Sequence, residues 1–246
     1  MTKRLIAFGL FTICAITLCI RLGIWQLHRL SERRGKNAMV WERGKAAPLP
    51  MAAVRNPDTA ATHWRRVIVH GVADYAAEVV QTSRSQSGAP GVYLLTPVRP
   101  LEPGWGDTAI LVLRGYLYAP NGRTADFVKA QEGDTLTVET LVTTFPPTGV
   151  GAVQSPTSPR AVRFLNRDTL SAMMQRPLAP VVLLALGDTV TRDVTRPARV
   201  PTPPLGDGPH LSYALQWFGF AIVFLVGFLA FAFAGRTKSE DADDAR

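Results

Sequence analysis

The sequence predicts a membrane protein with one transmembrane α-helix at each end and a β-rich α+β extramembrane domain between them. Three observations carry this. Residues 5–27 and 210–234 are apolar over about the length a helix needs to cross the hydrocarbon core of a bilayer. Between them, short runs of Val, Leu, Ile, Thr and Tyr alternate with Gly, Pro, Asn and Asp, the patterning of strands and turns. The overall composition, 47% hydrophobic and 19% charged with mean hydropathy +0.09, is the average of two very apolar ends and a polar middle.

The first segment is continuously apolar or small from Leu5 to Ile20. Arg21 interrupts it near its end, where a long side chain can snorkel to the interface, and Leu22-Gly23-Ile24-Trp25 resumes, with Trp25 suited to the interfacial belt. The segment is long for a signal peptide and no small-x-small cleavage site ends it, which argues for an uncleaved anchor. Residues 28–62 read as a charged helix running out of the membrane to about Lys45, then a loop from Ala46 to Thr62 with Pro48, Pro50 and Pro57. Residues 63–195 form the β-rich domain. Its expected strands are Arg65–Gly71, Glu78–Thr82, Val92–Val98, Ala109–Tyr118, Thr135–Thr144, Arg160–Leu165 and Val181–Ala185. One short capped helix is expected over Asp168–Gln175, and Pro90-Gly91 reads as a turn into a strand. Residues 196–209 hold five prolines and read as a stiff linker. Asp207-Gly208-Pro209 is a helix start signal for the second span at 210–234, and residues 235–246 read as a short, disordered acidic tail.

The net charge of +8 puts Lys and Arg beside membrane spans, where they meet lipid head groups or anionic ligands; no nucleic-acid motif is present, so nucleic acid is not an expected partner. The only cysteines, Cys14 and Cys19, lie in the first span, which excludes a disulfide or thiolate metal site in the middle domain. Lys3, Arg4, Arg236 and Lys238 on one side are matched by Arg29, Arg33, Arg34 and Lys36 on the other, so charge alone leaves the topology open.

Two constellations stand at the span ends. Leu22, Gln26, Arg29 and Arg33 recur at three- and four-residue steps and share a helix face. His210, Tyr213 and Trp217 do the same at i, i+3 and i+7. The positive end of the second helix favours a neutral His210, the form that ligates haem iron, with Tyr213 and Trp217 as an aromatic wall below it. Ordinary interfacial anchoring explains either constellation by itself. In the middle domain, Arg114-Gly115 ends a buried-looking strand and requires a salt bridge or carbonyl clamp for its guanidinium. His63 and His70 form no ligand-spaced pair. No Ser-His-Asp order, paired carboxylates, phosphate-binding loop or HExxH occurs, and nothing points to an enzyme.

These residues resemble the Surf1 family (SURF1/Shy1-type cytochrome c oxidase assembly factors). Gly23-x-Trp25-Gln26-x-x-Arg29 resembles the family motif at the exit of the first span. Val69-His70-Gly71 through Tyr75 is a looser match. Gly91-Val92-Tyr93-Leu94-Leu95-Thr96-Pro97 and Val112-Leu113-Arg114-Gly115-Tyr116 resemble two motifs of the middle domain, the second with Tyr116 where the family has Trp. His210-Leu211-Ser212-Tyr213-Ala214-x-x-Trp217-Phe218 resembles the second-span signature closely. Arg33 stands where the family often has Lys. The resemblance covers nearly the whole chain in the right order.

The resemblance implies a non-enzymatic assembly role for an aa3-type haem-copper oxidase: binding haem a transiently and aiding its insertion into oxidase subunit I, with haem a synthase as a further partner. It also implies a bacterial inner membrane, a periplasmic middle domain and cytoplasmic termini; no Arg- and Ser-rich transit peptide precedes the first span, which favours a bacterium over a mitochondrion. His210 is then the expected axial ligand of the haem iron. Tyr213, Trp217, Trp25 and Gln26 are expected beside the macrocycle, and Arg29 and Arg33 at the propionates. A riskier expectation pairs His28 with His210 across one haem. The alternatives are an interaction protein that stabilises an oxidase intermediate without haem, and a two-span sensor, against which stand the dozen residues after the second span. The spans themselves should pack together, with Gly219 and Ala221 permitting close approach.

Overall fold

The computed structural model describes all residues except 1–2, 56–57, 124–125, 127–128, 147–153, 156–157, 190–195, 203–204 and 244–246. In chain order the elements are α1 (Lys3–Lys45), a 3₁₀ turn (Met51–Arg55), α2 (Thr59–Thr62), β1 (Arg66–Ala73), a second 3₁₀ turn (Tyr75–Ala77), β2 (Val79–Gln86), β3 (Ala89–Pro100), β4 (Ala109–Tyr118), β5 (Thr135–Thr144), β6 (Gln154–Ser155), β7 (Ser158–Val162), α3 (Arg167–Met174), β8 (Leu178–Ala185) and α4 (His210–Asp243). The chain divides into two units. One comprises residues 1–39 and 205–246, the other residues 40–204.

The helical unit pairs α1 with α4. Both contain stretches long and apolar enough to cross a membrane, Leu5–Lys45 and His210–Phe233, and only 11% of each apolar window is buried. That low burial decides against a core helix of a soluble protein: Leu10, Phe11, Ile13, Leu215, Ile222 and Val223 all stand exposed, a surface that lipid rather than water must cover. The residues of α1 turned inward follow a different rhythm. Thr12, Cys19, Gly23 and Leu30 are buried and Gly9, Ile16 and Gln26 half-buried, at alternating steps of three and four. That is the 3.5-residue spacing of a two-helix seam. Opposite it, α4 offers Ala214 and Ala221, buried and seven residues apart. Ring contacts Phe11–Phe224, Phe8–Phe228 and Phe8–Phe231 advance along one helix as they retreat along the other, so the helices run antiparallel. Ala221 lies on the seam as expected. Gly219 does not: a side chain there meets nothing within 4 Å, because it sits two residues from Ala221 on the helix's outer side. The acidic end expected to be a disordered tail continues α4 as far as Asp243.

The second unit is a mixed sheet in the order β1-β5-β8-β4-β3-β2-β7-β6, and β1 also pairs with β3. That pairing, Gly71 opposite Pro100 and Ala73 opposite Val98, closes β1, β5, β8, β4 and β3 on themselves. Gly71 is required at the closure, since a Cβ there collides with the Arg99 carbonyl. The cluster of Val67, Val69, Val98, Ile110, Val112, Leu136, Val142, Val181 and Leu183 draws on all five strands, as the inside of a closed sheet does. The opposite faces of β4 and β8, through Leu111, Leu113, Val182 and Leu184, pack against Leu170 and Met174 of α3. β4 is therefore buried on both faces, which explains its unbroken apolar run. Asn166 caps α3 by accepting from the Thr169 N–H at 3.0 Å.

Three local expectations are corrected. The 46–62 stretch is not featureless: the 3₁₀ turn buries Met51 and Val54 in the barrel-like core. The turn into β3 is Ser87-Gly88, both at positive φ, a two-residue hairpin; Pro90-Gly91 lies inside the strand. The start of the proline-rich 196–209 segment, of which 203–204 lie outside the described residues, docks on the sheet rather than bridging as a linker. Ala198 exchanges backbone hydrogen bonds with Tyr116, and Arg199 bonds Glu132.

Candidate functional site

The helical unit builds its site where α4 begins. His210 follows Pro209 directly, and the Pro209 carbonyl accepts from the Tyr213 N–H at 3.1 Å and the Ser212 hydroxyl at 2.8 Å, which fixes the first turn. Pro209 thus precedes the helix rather than occupying its first turn. Asp207 is not its cap either, because the carboxylate accepts from Arg34 Nε at 2.9 Å and Nη2 at 2.6 Å. That pair sits in water, where hydrogen bonding to Arg34 holds the Asp207 carboxyl below its usual range. Arg33 Nε donates to the Gly206 carbonyl at 2.7 Å and Asn37 donates to the same oxygen at 3.2 Å. Three side chains from little more than one turn of α1 thereby hold the chain that leads into α4.

Within this frame His210 Nδ1 lies 2.9 Å from Gln26 Oε1. No other described residue hydrogen-bonds the ring. One turn into the membrane from Gln26, Gly23 leaves room for the Phe218 ring, which a side chain at that position would strike. Gln26 and Arg33 share a face of α1 as predicted, and that face is the seam, but it runs Gly23-Gln26-Leu30-Arg33 rather than Leu22-Gln26-Arg29-Arg33. Arg29 falls outside it and pairs with Glu32 at 2.6 Å, both about half exposed. Trp25 and Tyr213 are exposed, and Trp217 is half-buried with an edge-on contact to Phe220. The structure brings together Gln26, Arg33 and His210 and leaves Trp25, Arg29 and Tyr213 facing outward. His28 is exposed, two residues off the seam position that meets His210, so the two imidazoles do not face each other.

In the sheet unit, Arg114 is 1% exposed and its guanidinium is surrounded. Nη2 donates to Glu78 at 2.6 Å, Nε to Thr96 Oγ1 at 2.7 Å, and Nη1 to the Ala130 carbonyl at 2.6 Å and to Glu132 at 2.9 Å. Thr96 in turn donates to Glu78. Arg199 closes the group on Glu132 at 2.8 Å and on the Arg114 carbonyl at 2.6 Å. Two arginines thus face two glutamates. Tyr75 lies under the Arg114 guanidinium, accepts from the Glu132 N–H and donates to the Gly133 carbonyl; burial raises its phenol above the ordinary range. Gly115 lets the Ala198 backbone pass, and Tyr116 donates to the Ala89 and Pro90 carbonyls beside Gly91. The motif residues Gly71, Tyr75, Gly91, Thr96, Arg114, Gly115 and Tyr116 therefore serve the architecture of the sheet. A cavity of about 330 Å³ lined by Arg114, Glu132, Thr137 and Arg199 adjoins the group. No cluster of three metal-ligating side chains occurs among the described residues.

Sequence reasoning missed Arg34, Asn37, Asp207 and Phe218 at the helical site. Their partners lie between 169 and 195 residues away in the chain, and no local spacing encodes such pairs. The seam rhythm Gly9-Thr12-Ile16-Cys19-Gly23-Gln26-Leu30 was the available signal.

Comparison with known proteins bears on both ends of the chain. A model of the SURF1 family matches residues 13–222, from within α1 to within α4. A SURF1-like protein of Rickettsia felis (strain ATCC VR-1525 / URRWXCal2) is 24% identical over 221 residues, covering 89% of this chain and 93% of that protein. With two membrane-capable helices enclosing a β-rich domain and a family match that spans all three, the chain belongs to the SURF1 family.

Proposed function

We propose that the chain is a membrane-anchored haem a carrier in the assembly of an aa3-type cytochrome c oxidase, presenting haem a for insertion into subunit I and catalysing no reaction itself. Family membership supports the role in cytochrome c oxidase assembly. The observation that carries the finer reading is His210: an imidazole at the first turn of a membrane helix, held at one nitrogen by Gln26, with no described hydrogen bond at the other. Haem a, when bound, would supply an iron that an imidazole can ligate, and His210 would hold it. The residues present fit such a group. Trp25 and Tyr213 are exposed and Trp217 half-buried near the helix ends, so aromatic surface is available to a macrocycle. Arg33 is exposed and, among the described residues, uses only Nε. The Arg29–Glu32 pair is a surface contact worth little, so either guanidinium can take up a propionate.

The same reading places the chain in a bacterial inner membrane, with the sheet unit periplasmic and the termini cytoplasmic, and makes haem a synthase its source of haem. The test is purification of the full chain from cells that make haem a, followed by the absorption spectrum. The proposal predicts haem a bands at about one haem per chain. A protein that is isolated with subunit I yet carries no haem identifies an interaction protein instead.

A further inference from the structure

We infer that Gln26 is the positioning residue for His210: its side-chain carbonyl holds the imidazole as the Nδ1–H tautomer and leaves Nε2 as the ligating atom. What Nε2 then binds rests on the haem reading above; the tautomer does not. The atom of Gln26 that faces Nδ1 at 2.9 Å is Oε1, which accepts hydrogen bonds and donates none, so with the amide in this orientation the proton sits on Nδ1. A neutral imidazole protonated at Nδ1 carries its free lone pair on Nε2. The preceding backbone carbonyl, Pro209 O, is no competitor, because the Tyr213 N–H and the Ser212 hydroxyl already take it.

The contact is also built rather than incidental. Gln26 sits on the seam between Gly23, against which Phe218 packs, and Leu30, which is 5% exposed, so its place on α1 is fixed one turn either side. His210 is fixed by the clamps on residues 206 and 207 that precede it. An acceptor on the far nitrogen of a ligating histidine sets ring orientation and raises ligand basicity, and losing one costs about 10- to 100-fold in metal affinity. In this protein the acceptor comes from the other membrane helix, so ligand geometry depends on the two spans being docked.

The experiment compares the full chain with Gln26→Leu and Gln26→Glu in detergent, using ¹⁵N-labelled histidine at pH 8 and assigning His210 by difference from His210→Ala. The wild type should show the Nδ1–H tautomer at His210, with or without haem. Gln26→Leu should show a mixture of tautomers and bind haem a about 10- to 100-fold more weakly. Gln26→Glu keeps an acceptor and should restore both the single tautomer and the affinity. An Nε2–H tautomer in the wild type overturns the assignment, as does a Gln26→Leu protein with unchanged tautomer and unchanged haem affinity. A wild type that shows Nδ1–H yet binds no haem a sinks the haem reading and leaves the Gln26 assignment standing.

Discussion

Arg114 shows how a single residue type announces its own environment. A guanidinium cannot lose its charge inside a protein, so an arginine at the end of an apolar strand implies buried carboxylates or carbonyls to receive it. The sequence made the need for a partner legible but not the partners, because Glu78, Thr96 and Glu132 are brought to Arg114 only by the sheet. Arg114→Met leaves the fully buried Glu78 uncompensated and should destabilise the sheet unit by about 3–5 kcal/mol. Adding Glu78→Gln should recover part of this, measured by denaturant unfolding of the detergent-solubilised chain followed by fluorescence of Trp64 and Trp105. A second residue carries a pH dependence. Burial, and secondarily the charge of Arg43, lowers the basicity of His63, whose ring packs on Trp64 and whose buried Nδ1 has no hydrogen-bond partner among the described residues. Its folded pKa is below the unfolded one, so the unfolded chain binds the extra proton first and stability falls as pH drops through the ordinary histidine range near 6.5. His63→Phe should flatten the unfolding midpoint between pH 7 and pH 5.5 relative to wild type; an unchanged slope rules His63 out as the cause.

At the scale of elements, the strands and helices themselves were mostly legible. β4 and β5 occupy the predicted residues 109–118 and 135–144, since continuous or alternating β-branched runs bounded by turn residues leave little choice. β6, two residues long, and the turns at 51–55 and 59–62 were not legible, because so few residues have no period. The membrane helices were read correctly as apolar segments, whereas their facing sides needed the structure: lipid and a helix neighbour are both apolar, so hydrophobicity does not mark the seam, and only the recurrence of small residues does. The seam makes a positional prediction. With Cys14 and Cys19 replaced by serine, and Phe218 by alanine to make room for a side chain at position 23, cysteines at Gly23 and Ala214 should crosslink on mild oxidation, because Gln26–His210 and Gly23–Phe218 bracket that level of the pair. A cysteine at Gly219, which faces open space, should not crosslink to Gly23. Equal yields from the two pairs would contradict the register.

Across the whole molecule, the matched motifs separate into two kinds of work. Those in the sheet unit are consumed by its own architecture, through barrel closure at Gly71, the Arg114 group and the passage of Pro197 and Ala198 over Gly115. Those at the ends of the two spans meet each other, and at His210 they leave a ring nitrogen with no described protein partner. Function is therefore expected at the span ends, with the sheet unit as the covalent connection between them. Removing His210 while keeping the fold tests this most directly. The measurement is the haem a content and absorption spectrum of His210→Ala beside wild type, both purified as full chains from cells that make haem a, with insertion and unfolding midpoint as controls for the fold. His210→Ala should insert and fold normally and lose the haem bands. Wild-type haem stoichiometry and an unchanged spectrum in His210→Ala would contradict it.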